Sequence, residues 1–329
     1  CPELVGHLPG PVRDVAVSGD HAYLVDSVGL SVANISSPVA PRLVGNVGLA
    51  GLPQGLAVSG RYSYVAYAGA NAGGFQVIDV SDPTGPVAVG TLEISGDVAD
   101  VAVSTSYAYV ANVSAGLRVI DVSMPSAPLE VGFIDTTARA WGVATSGRYA
   151  YVVGDLWVGT SSWGGLWVID VSQPSAPVEV GFVQTPDRTT AVTVVGSYAY
   201  VTDIIGGLRV IDVSTPTAPV EIGFVETPGS AEGIAVSGSY AYVAGSGRRV
   251  VDISTPSAPM EVGMLHTPGH AHGVAVSDLT AFVASGTGGL RAVDVSQPSA
   301  PVEVGFVRTP APHDVAVARG NAYIAGGEE

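Results

Sequence analysis

Short apolar runs separated by turn residues recur along the whole chain, and residues 206–245 show the unit most clearly. Within it, β-branched and other apolar residues fill 208–213, 220–225, 234–236 and 240–244, with Gly, Pro and Ser between the runs. Runs of this length with these boundaries predict β-strands, and no window has the period of an amphipathic helix. The hydrophobic pattern therefore predicts an all-β chain made of four-stranded units.

Two kinds of turn connect the predicted strands. Ser237-Gly238 supplies the positive φ that a tight hairpin needs. Pro216 and Pro219 bracket the turn after the third strand. Because Pro cannot donate to a ladder, the strand after that turn is expected at an exposed outer edge.

An aspartate recurs ahead of this proline turn once per unit. The recurring residues are Asp121, Asp170, Asp212, Asp252 and Asp294. Such regularity indicates that the carboxylates stabilise the turn and do not form a site.

The unit repeats about every 42 residues, a period typical of propeller blades. One blade buries neither of its two apolar faces alone, whereas radial stacking buries both. The inner strands start near Asp14, Gly55, Asp100, Gly142, Ala191, Gly233, Gly273 and Asp314. The sequence thus predicts an eight-bladed β-propeller, with seven blades as the alternative, as a single domain over residues 1–329. A strand at residues 3–8 is expected to complete the last blade, which closes the ring.

The recurring motif Leu-Arg-Val-Ile-Asp-Val-Ser stands at Leu117–Ser123 and again at Leu208–Ser214. On this motif the chain resembles the LVIVD repeat family, and its inner hairpin at residues 233–244 is similar to NHL-type propellers. The resemblance implies a bacterial or archaeal surface or secreted propeller with a binding or scaffold role, and it implies no catalytic residues.

The charge balance is strongly acidic, with a formal net charge of −16. An acidic surface repels phosphate, so nucleic acid is not expected as a partner. No apolar stretch reaches the length of a transmembrane segment. The single cysteine, Cys1, excludes an internal disulfide. It fits either the lipidated end of a cell-surface or outer-membrane lipoprotein, or an arbitrary boundary of the sequence.

All four tryptophans belong to the unit of the fourth blade. They are Trp141 ahead of the inner strand, Trp157 and Trp163 in an insertion at residues 155–165, and Trp167 on the third strand. Clustered, exposed tryptophan is typical of contacts with glycans or proteins, and variable loops on a rigid scaffold commonly carry binding. We therefore expect these residues to bind a protein or glycan partner. The alternative is that the insertion folds around a small tryptophan core of its own.

Four histidines, His266 among them, fall in adjacent loops ahead of the last two inner strands. His270, His272 and His313 could converge on a metal, with Glu232 and Asp314 in the same loop series. A spacing of two residues across a loop is weak evidence, so ordinary loop histidines are the preferred interpretation.

Asp14, Asp100 and Asp314 open the inner strands of three blades. They could hold a cation at the mouth of the central channel. The preferred interpretation is that each carboxylate accepts hydrogen bonds from local backbone donors.

Motifs of catalysis do not occur in this sequence: there is no nucleophile elbow, phosphate-cradling loop or zinc-binding cysteine pair. We therefore expect no enzymatic activity and no cofactor. The sequence favours an extracytoplasmic binding or scaffold propeller, as a subunit of a cell-surface assembly. The alternative is a metal-dependent hydrolase or lactonase-like propeller with its site at the channel mouth.

Overall fold

The computed structural model of this chain describes all of residues 12–326 except 27–28, 35, 37–41, 70–72, 137, 159–160, 247, 266–269, 286–289, 308–311 and 319–320. Within these ranges the regular structure is entirely antiparallel β-sheet. No helix in the described ranges is long and apolar enough to cross a lipid bilayer.

Seven sheets have four strands each, paired in chain order as meanders. Blade one is β1 (Val12–Ser18), β2 (His21–Asp26), β3 (Gly29–Asn34) and β4 (Arg42–Gly48). Blade two is β5 (Leu52–Ser59), β6 (Tyr62–Ala68), β7 (Gly73–Asp79) and β8 (Val87–Ile94). Blade three is β9 (Val98–Ser104), β10 (Tyr107–Asn112), β11 (Gly116–Asp121) and β12 (Leu129–Ile134). Blade four is β13 (Arg139–Ser146), β14 (Tyr149–Val158), β15 (Ser161–Asp170) and β16 (Val178–Thr185).

The remaining blades repeat the pattern. Blade five is β17 (Thr189–Val195), β18 (Tyr198–Asp203), β19 (Gly207–Asp212) and β20 (Val220–Val225). Blade six is β21 (Ala231–Ser237), β22 (Tyr240–Gly245), β23 (Arg248–Asp252) and β24 (Met260–Leu265). Blade seven is β25 (Gly273–Ser277), β26 (Thr280–Ala284), β27 (Leu290–Asp294) and β28 (Val302–Val307). A two-stranded sheet follows, β29 (Pro312–Ala318) and β30 (Asn321–Gly326).

The β-propeller prediction is confirmed, but the number of blades is seven, the predicted alternative, and not eight. The structure shows seven four-stranded blades, because the C-terminal unit contributes only the two strands of β29–β30 to the described part of the chain. This half unit packs between blades seven and one, since β29 contacts both β25 and β1. Tyr323 packs against the core of blade one, and Val315 belongs to the core of blade seven. The strand expected at residues 3–8 lies outside the described residues.

The hydrophobic core lies between neighbouring blades. Alternate residues of a strand face opposite neighbours, so a strand such as β11 is apolar on both sides. Leu117 and Val119 pack toward blade four, whereas Ile120 packs toward blade two. This arrangement explains why the strands are continuous apolar runs without a polar face.

A close backbone contact joins the outer rims of successive blades. One glycine in the outer strand of each of blades one to six lies against the proline turn of the next blade. A Cβ built on this glycine would lie 2.1–2.4 Å from a proline carbonyl oxygen in that turn. The glycines are Gly45, Gly90, Gly132, Gly181, Gly223 and Gly263. No other residue type fits there, because real Cβ atoms do not approach backbone so closely.

The turns form as the sequence predicts. Each recurring aspartate accepts a hydrogen bond from the backbone N–H of the serine two residues later, as Asp212 does from Ser214 at 2.8 Å. The interpretation of these aspartates as turn stabilisers is thus confirmed. Gly238 has the positive φ of 55° expected of the inner hairpin. Thr105 and Asp278 adopt the same left-handed conformation without glycine, with φ of 56° and 51°.

Candidate functional site

Inner strands bulge at one equivalent position around the ring. Between β13 and β14, for example, Ala140 and Gly142 pair with Gly154 and Val153, which leaves Trp141 as the extra residue. The same shift in register occurs in blades one, two, three, five and six and in the half unit. A β-bulge redirects the extra side chain out of the regular ladder. The fold therefore places one extra residue at an equivalent position of the inner strand in each of these units.

We call these positions, together with the equivalent residue ahead of β25, the mouth ring. In chain order its members are Arg13, Gln54, Ala99, Trp141, Thr190, Glu232, His272 and His313. Neighbouring members interact across the blade boundary. Arg13 Nη1 donates to Gln54 Oε1 at 3.2 Å, and His272 Nδ1 lies 2.7 Å from Glu232 Oε2. The mouth ring is a variable set of side chains on a nearly invariant scaffold.

A cavity of about 570 Å³ opens at this end of the ring, between blades two and five. It is lined by Gln54, Ala68, Asp97, Val98, Ala99, Val113, Trp141, Arg188 and Thr190. Its volume lies within the range of small-molecule sites, and it has the usual composition of an apolar wall with a few polar groups.

Trp141 is held in place by charged neighbours. Its indole Nε1–H donates to Asp155 Oδ1, and Arg139 Nη2 pairs with Asp155 Oδ2. The guanidinium of Arg188 lies 5.3 Å from the centre of the indole ring, a cation–π contact. Arg188 Nε is buried without a hydrogen-bond partner among the described residues. Arg188 also lines the cavity, next to Trp141.

Glu232 bonds two imidazoles on the other side of the mouth ring. Its Oε1 lies 2.9 Å from His270 Nε2, and its Oε2 lies 2.7 Å from His272 Nδ1. The hydrogen bond with His272, followed by that with His270, holds the pKa of Glu232 below its ordinary value despite partial burial. These are the described residues whose ligand atoms are close enough together to hold a metal ion.

Two carboxylates at the start of inner strands link neighbouring blades. Asp14 accepts from its own strand at Val15 N (2.7 Å) and from the next blade at Leu56 N (2.6 Å). Asp100 accepts likewise from Val101 N (2.7 Å) and Val143 N (3.0 Å). The preferred interpretation, that these carboxylates cap backbone donors, is confirmed for both. The structure adds that half of the donors belong to the adjacent blade.

Burial makes the stability of the ring depend on pH through these groups. Desolvation raises the pKa of Asp100 from its ordinary value of 3.8 to about 6. The pKa of Asp14 is raised by burial and then by the charge of Asp314, with which it shares a hydrogen bond. A raised carboxyl pKa means that the folded chain keeps the proton longer than the unfolded chain.

We therefore expect the contribution of Asp100 to the free energy of unfolding to fall by at most about 3 kcal/mol as the pH rises from about 4 to about 6. Urea titrations of the wild type and Asp100→Asn across this range measure the effect. The variant should show a shallower slope of stability against pH, whatever its absolute stability. An identical slope in both proteins would contradict a protonation of Asp100 in this window.

Comparison with known proteins identifies the repeat. LVIVD repeats match at residues 9–48, 50–93, 95–136, 138–185, 188–227, 228–267 and 268–309. The chain belongs to the LVIVD repeat family. The resemblance drawn from the Leu-Arg-Val-Ile-Asp-Val-Ser motif is thus confirmed. The comparison with curated proteins found no match.

Many solved structures share the fold of these LVIVD repeats, and two of them illustrate the low sequence identity. The computationally designed Ika8 protein superposes with a TM-score of 0.68 at 10% identity, covering 85% of this chain and 82% of the designed one. Hydrazine synthase of Kuenenia stuttgartiensis superposes with a TM-score of 0.63 at 15% identity, covering 88% of this chain and 96% of the other. Identities this low indicate a common fold and carry no function.

The tryptophans of the fourth LVIVD repeat divide into two groups. Trp141 lines the cavity, whereas Trp163 and Trp167 pack on Phe182, with ring centres 5.7 and 4.9 Å apart. Trp167 is only 4% exposed, so its side chain belongs to the blade and not to an exposed surface. Trp157 lies on β14, and its side chain is outside the described part. The structure therefore does not place the four tryptophans on one binding surface.

The histidine prediction also changes in part. His270 and His272 meet as expected, but their described partner is Glu232, which the sequence placed only nearby. His313 lies on β29 at the next mouth-ring position, and its side chain is outside the described residues, as is the whole of Cys1.

Sequence reasoning missed Gln54, Asp97, Thr190 and Arg188 as cavity residues. One signal was available: in every repeat, the residue just before the Asp, Gly or Ala that opens the constant part of the inner strand varies in charge and size. The residues that follow it are nearly constant. Aligning the repeats on that strand would have marked the mouth ring as a set, although not the side of it that encloses a cavity.

Proposed function

We propose that this chain is a non-catalytic, extracytoplasmic binding propeller that recognises a glycan at the cavity beside Trp141. The observation that carries the proposal is the mouth ring. A scaffold that repeats almost without change presents one variable side chain per blade at a single end, which is the distribution expected of a recognition surface. The extracytoplasmic placement rests on the surface or secreted character that resemblance to this family implies.

The composition of the cavity favours a glycan over a purely apolar ligand. Val98, Val113 and Trp141 form an apolar wall, while Asp97 and Arg188 supply an acceptor and donors beside it. Sugars present CH faces that pack on aromatic rings, and their hydroxyl groups both donate and accept hydrogen bonds. A volume of about 570 Å³ accommodates a ligand of small-molecule size, such as the end of an oligosaccharide.

Arginine-to-alanine variants test this proposal with a matched pair. Arg188→Ala removes the guanidinium that lies 5.3 Å from Trp141 in the cavity. Arg148→Ala removes a guanidinium that lies 5.4 Å from Tyr149 beside the inner hairpin, at the opposite end of the blade. On an oligosaccharide array, Arg188→Ala and Trp141→Ala should weaken binding by at least about 30-fold, a typical hot-spot effect. Arg148→Ala should bind as the wild type does.

Equal binding by Arg188→Ala and Arg148→Ala would contradict a ligand site at the cavity. A second outcome would change the ligand class. If the wild type binds no oligosaccharide but binds a protein, and Arg188→Ala weakens that binding, the ligand of the cavity is a protein and not a glycan. In that case the exposed apolar residues on the outer strands would be candidates for contacts with a protein partner. Among them are Leu129, Val178, Val220 and Met260.

A metal-dependent hydrolase is the second candidate function, and one observation favours it: the carboxylate and two imidazoles of Glu232, His270 and His272 lie together at the mouth. Zinc-loaded protein assayed against lactones and simple esters tests it. Turnover that is lost in His272→Ala would support hydrolysis, whereas rates equal to those of buffer containing zinc alone would contradict it.

A further inference from the structure

Blades six and seven bring three metal-ligand side chains together. The closest atoms are Glu232 Oε1 to His270 Nε2 at 2.9 Å and Glu232 Oε2 to His272 Nδ1 at 2.7 Å. The two imidazole rings meet edge to face with centres 4.9 Å apart. Each side chain is 29–34% exposed, so the group is anchored in the protein on one side and open to water on the other.

The backbone presents these side chains rigidly. Ala271, between the two histidines, is 1% exposed, and its N–H donates to Gly245 O at 3.0 Å. His272 N donates to Ala284 O at 3.0 Å. An extended segment pinned at its middle residue directs residues i and i+2 to the same side. Glu232 comes from the bulge of β21, and both histidines lie at the end of the connection from β24 to β25.

The distances suit a divalent cation of the zinc class. One ligand atom from each residue can be chosen so that all lie within 4.8 Å of one another. Zinc bonds of about 2.0–2.2 Å to nitrogen and oxygen require ligand atoms roughly 3.4 Å apart, which small side-chain rotations would reach. Ser230 Oγ lies 3.3 Å from His270 Nε2 and adds a polar neighbour. Two imidazoles and one carboxylate with open positions form a recognised set for zinc and similar ions.

We propose that Glu232, His270 and His272 bind one zinc-class divalent cation at the mouth ring. The site goes beyond the proposed glycan recognition and uses none of the cavity residues. Because Glu232 belongs to blade six and both histidines lead into blade seven, the bound ion joins two consecutive blades. Ligand binding to the folded state alone also raises the melting temperature, so the ion should stabilise the ring.

Zinc titration of the chain tests the site. After treatment with a chelator, calorimetric titration with Zn²⁺ should give one equivalent bound and a melting temperature that rises with zinc. Alanine at His270 or His272 should weaken binding by at least about 100-fold, and Glu232→Gln by at least about tenfold. His21→Ala, a histidine on β2 beside the inner hairpin of blade one, is the matched control and should bind zinc as the wild type does.

Three outcomes would overturn the proposal. The wild type takes up no stoichiometric zinc, which leaves an ordinary hydrogen-bonded carboxylate and histidine pair. Zinc uptake survives the double replacement of His270 and His272, which places the ion elsewhere. The control His21→Ala loses as much affinity as the site variants. Circular dichroism of metal-free samples verifies folding, and Glu232→Gln, which preserves shape, decides the question if an alanine variant does not fold.

Discussion

Replacing Gly223 with alanine is expected to destabilise the folded chain by about 3 kcal/mol, the upper range for forcing atoms into a packed interior. The added Cβ would lie 2.4 Å from Pro256 O and 2.5 Å from Pro259 Cδ in the next blade. A backbone carbonyl and a proline ring cannot rotate away from the added methyl group as a flexible side chain would. The turn is fixed by Ser254 N donating to Asp252 Oδ1 at 2.8 Å, so the blades themselves must separate.

Urea denaturation and thermal melting measure the loss, and Gly48→Ala is the matched control. Gly48 also lies on an outer strand, but a Cβ built there has no neighbour within 4 Å. Alanine at that position should be neutral or should stabilise by about 0.5 kcal/mol, because it restricts the unfolded chain. If Gly223→Ala and Gly48→Ala were equally stable, the contact between outer strand and proline turn would not fix the spacing of the blades.

The fold was predictable because its determinants are local and repeated. Strand positions follow from apolar runs such as 208–213, and the turns follow from Asp212 and Gly238, whose conformations depend only on near neighbours. Radial stacking follows from strands that are apolar on both faces. Gly223, the glycine in the outer strand of blade five, is also explained by packing: the turn of the next blade lies directly against it.

Blade number and site were less predictable because they depend on relations between units. The number of repeats in the sequence does not determine how many strands the last unit forms. In the described part of the chain, that unit consists of β29 and β30. Nor does a strand pattern reveal a one-residue bulge. The bulge turns Trp141 toward the channel mouth, while Trp167 remains inside the blade.

Clustering in sequence was therefore a poor guide to clustering in space. Trp163 and Trp167 are close to Trp141 in the chain, yet they pack on Phe182 within the blade. Glu232 and His272 are 40 residues apart and meet at 2.7 Å. In a ring of repeats, equivalent positions in neighbouring units are the true neighbours, so comparison between repeats predicts a site better than local density of one residue type.

Removing the carboxylate of Asp155 should damage both stability and the cavity. This side chain is 1% exposed, accepts from Trp141 Nε1 and pairs with Arg139 Nη2. Breaking a buried charge pair costs about 3–5 kcal/mol, but Arg139 is 42% exposed and can turn to water. We therefore expect Asp155→Ala to lose about 2–3 kcal/mol, chiefly from the indole N–H left without its acceptor.

The comparison of three variants separates the contributions at Asp155. Asp155→Asn keeps an oxygen that accepts from the indole and should lose only about 1–1.5 kcal/mol. Glu130→Ala breaks the ion pair with Arg118 and should lose less than about 1 kcal/mol, because the Glu130 side chain is 28% exposed. Near-ultraviolet circular dichroism should change most in Asp155→Ala, because freeing Trp141 alters the tryptophan environment.

If Asp155→Ala were as stable as Glu130→Ala and kept the wild-type spectrum, Trp141 would be positioned by the cavity wall and not by this carboxylate. In that case Arg188, which lies over the same ring, would be the group that fixes the indole for ligand binding.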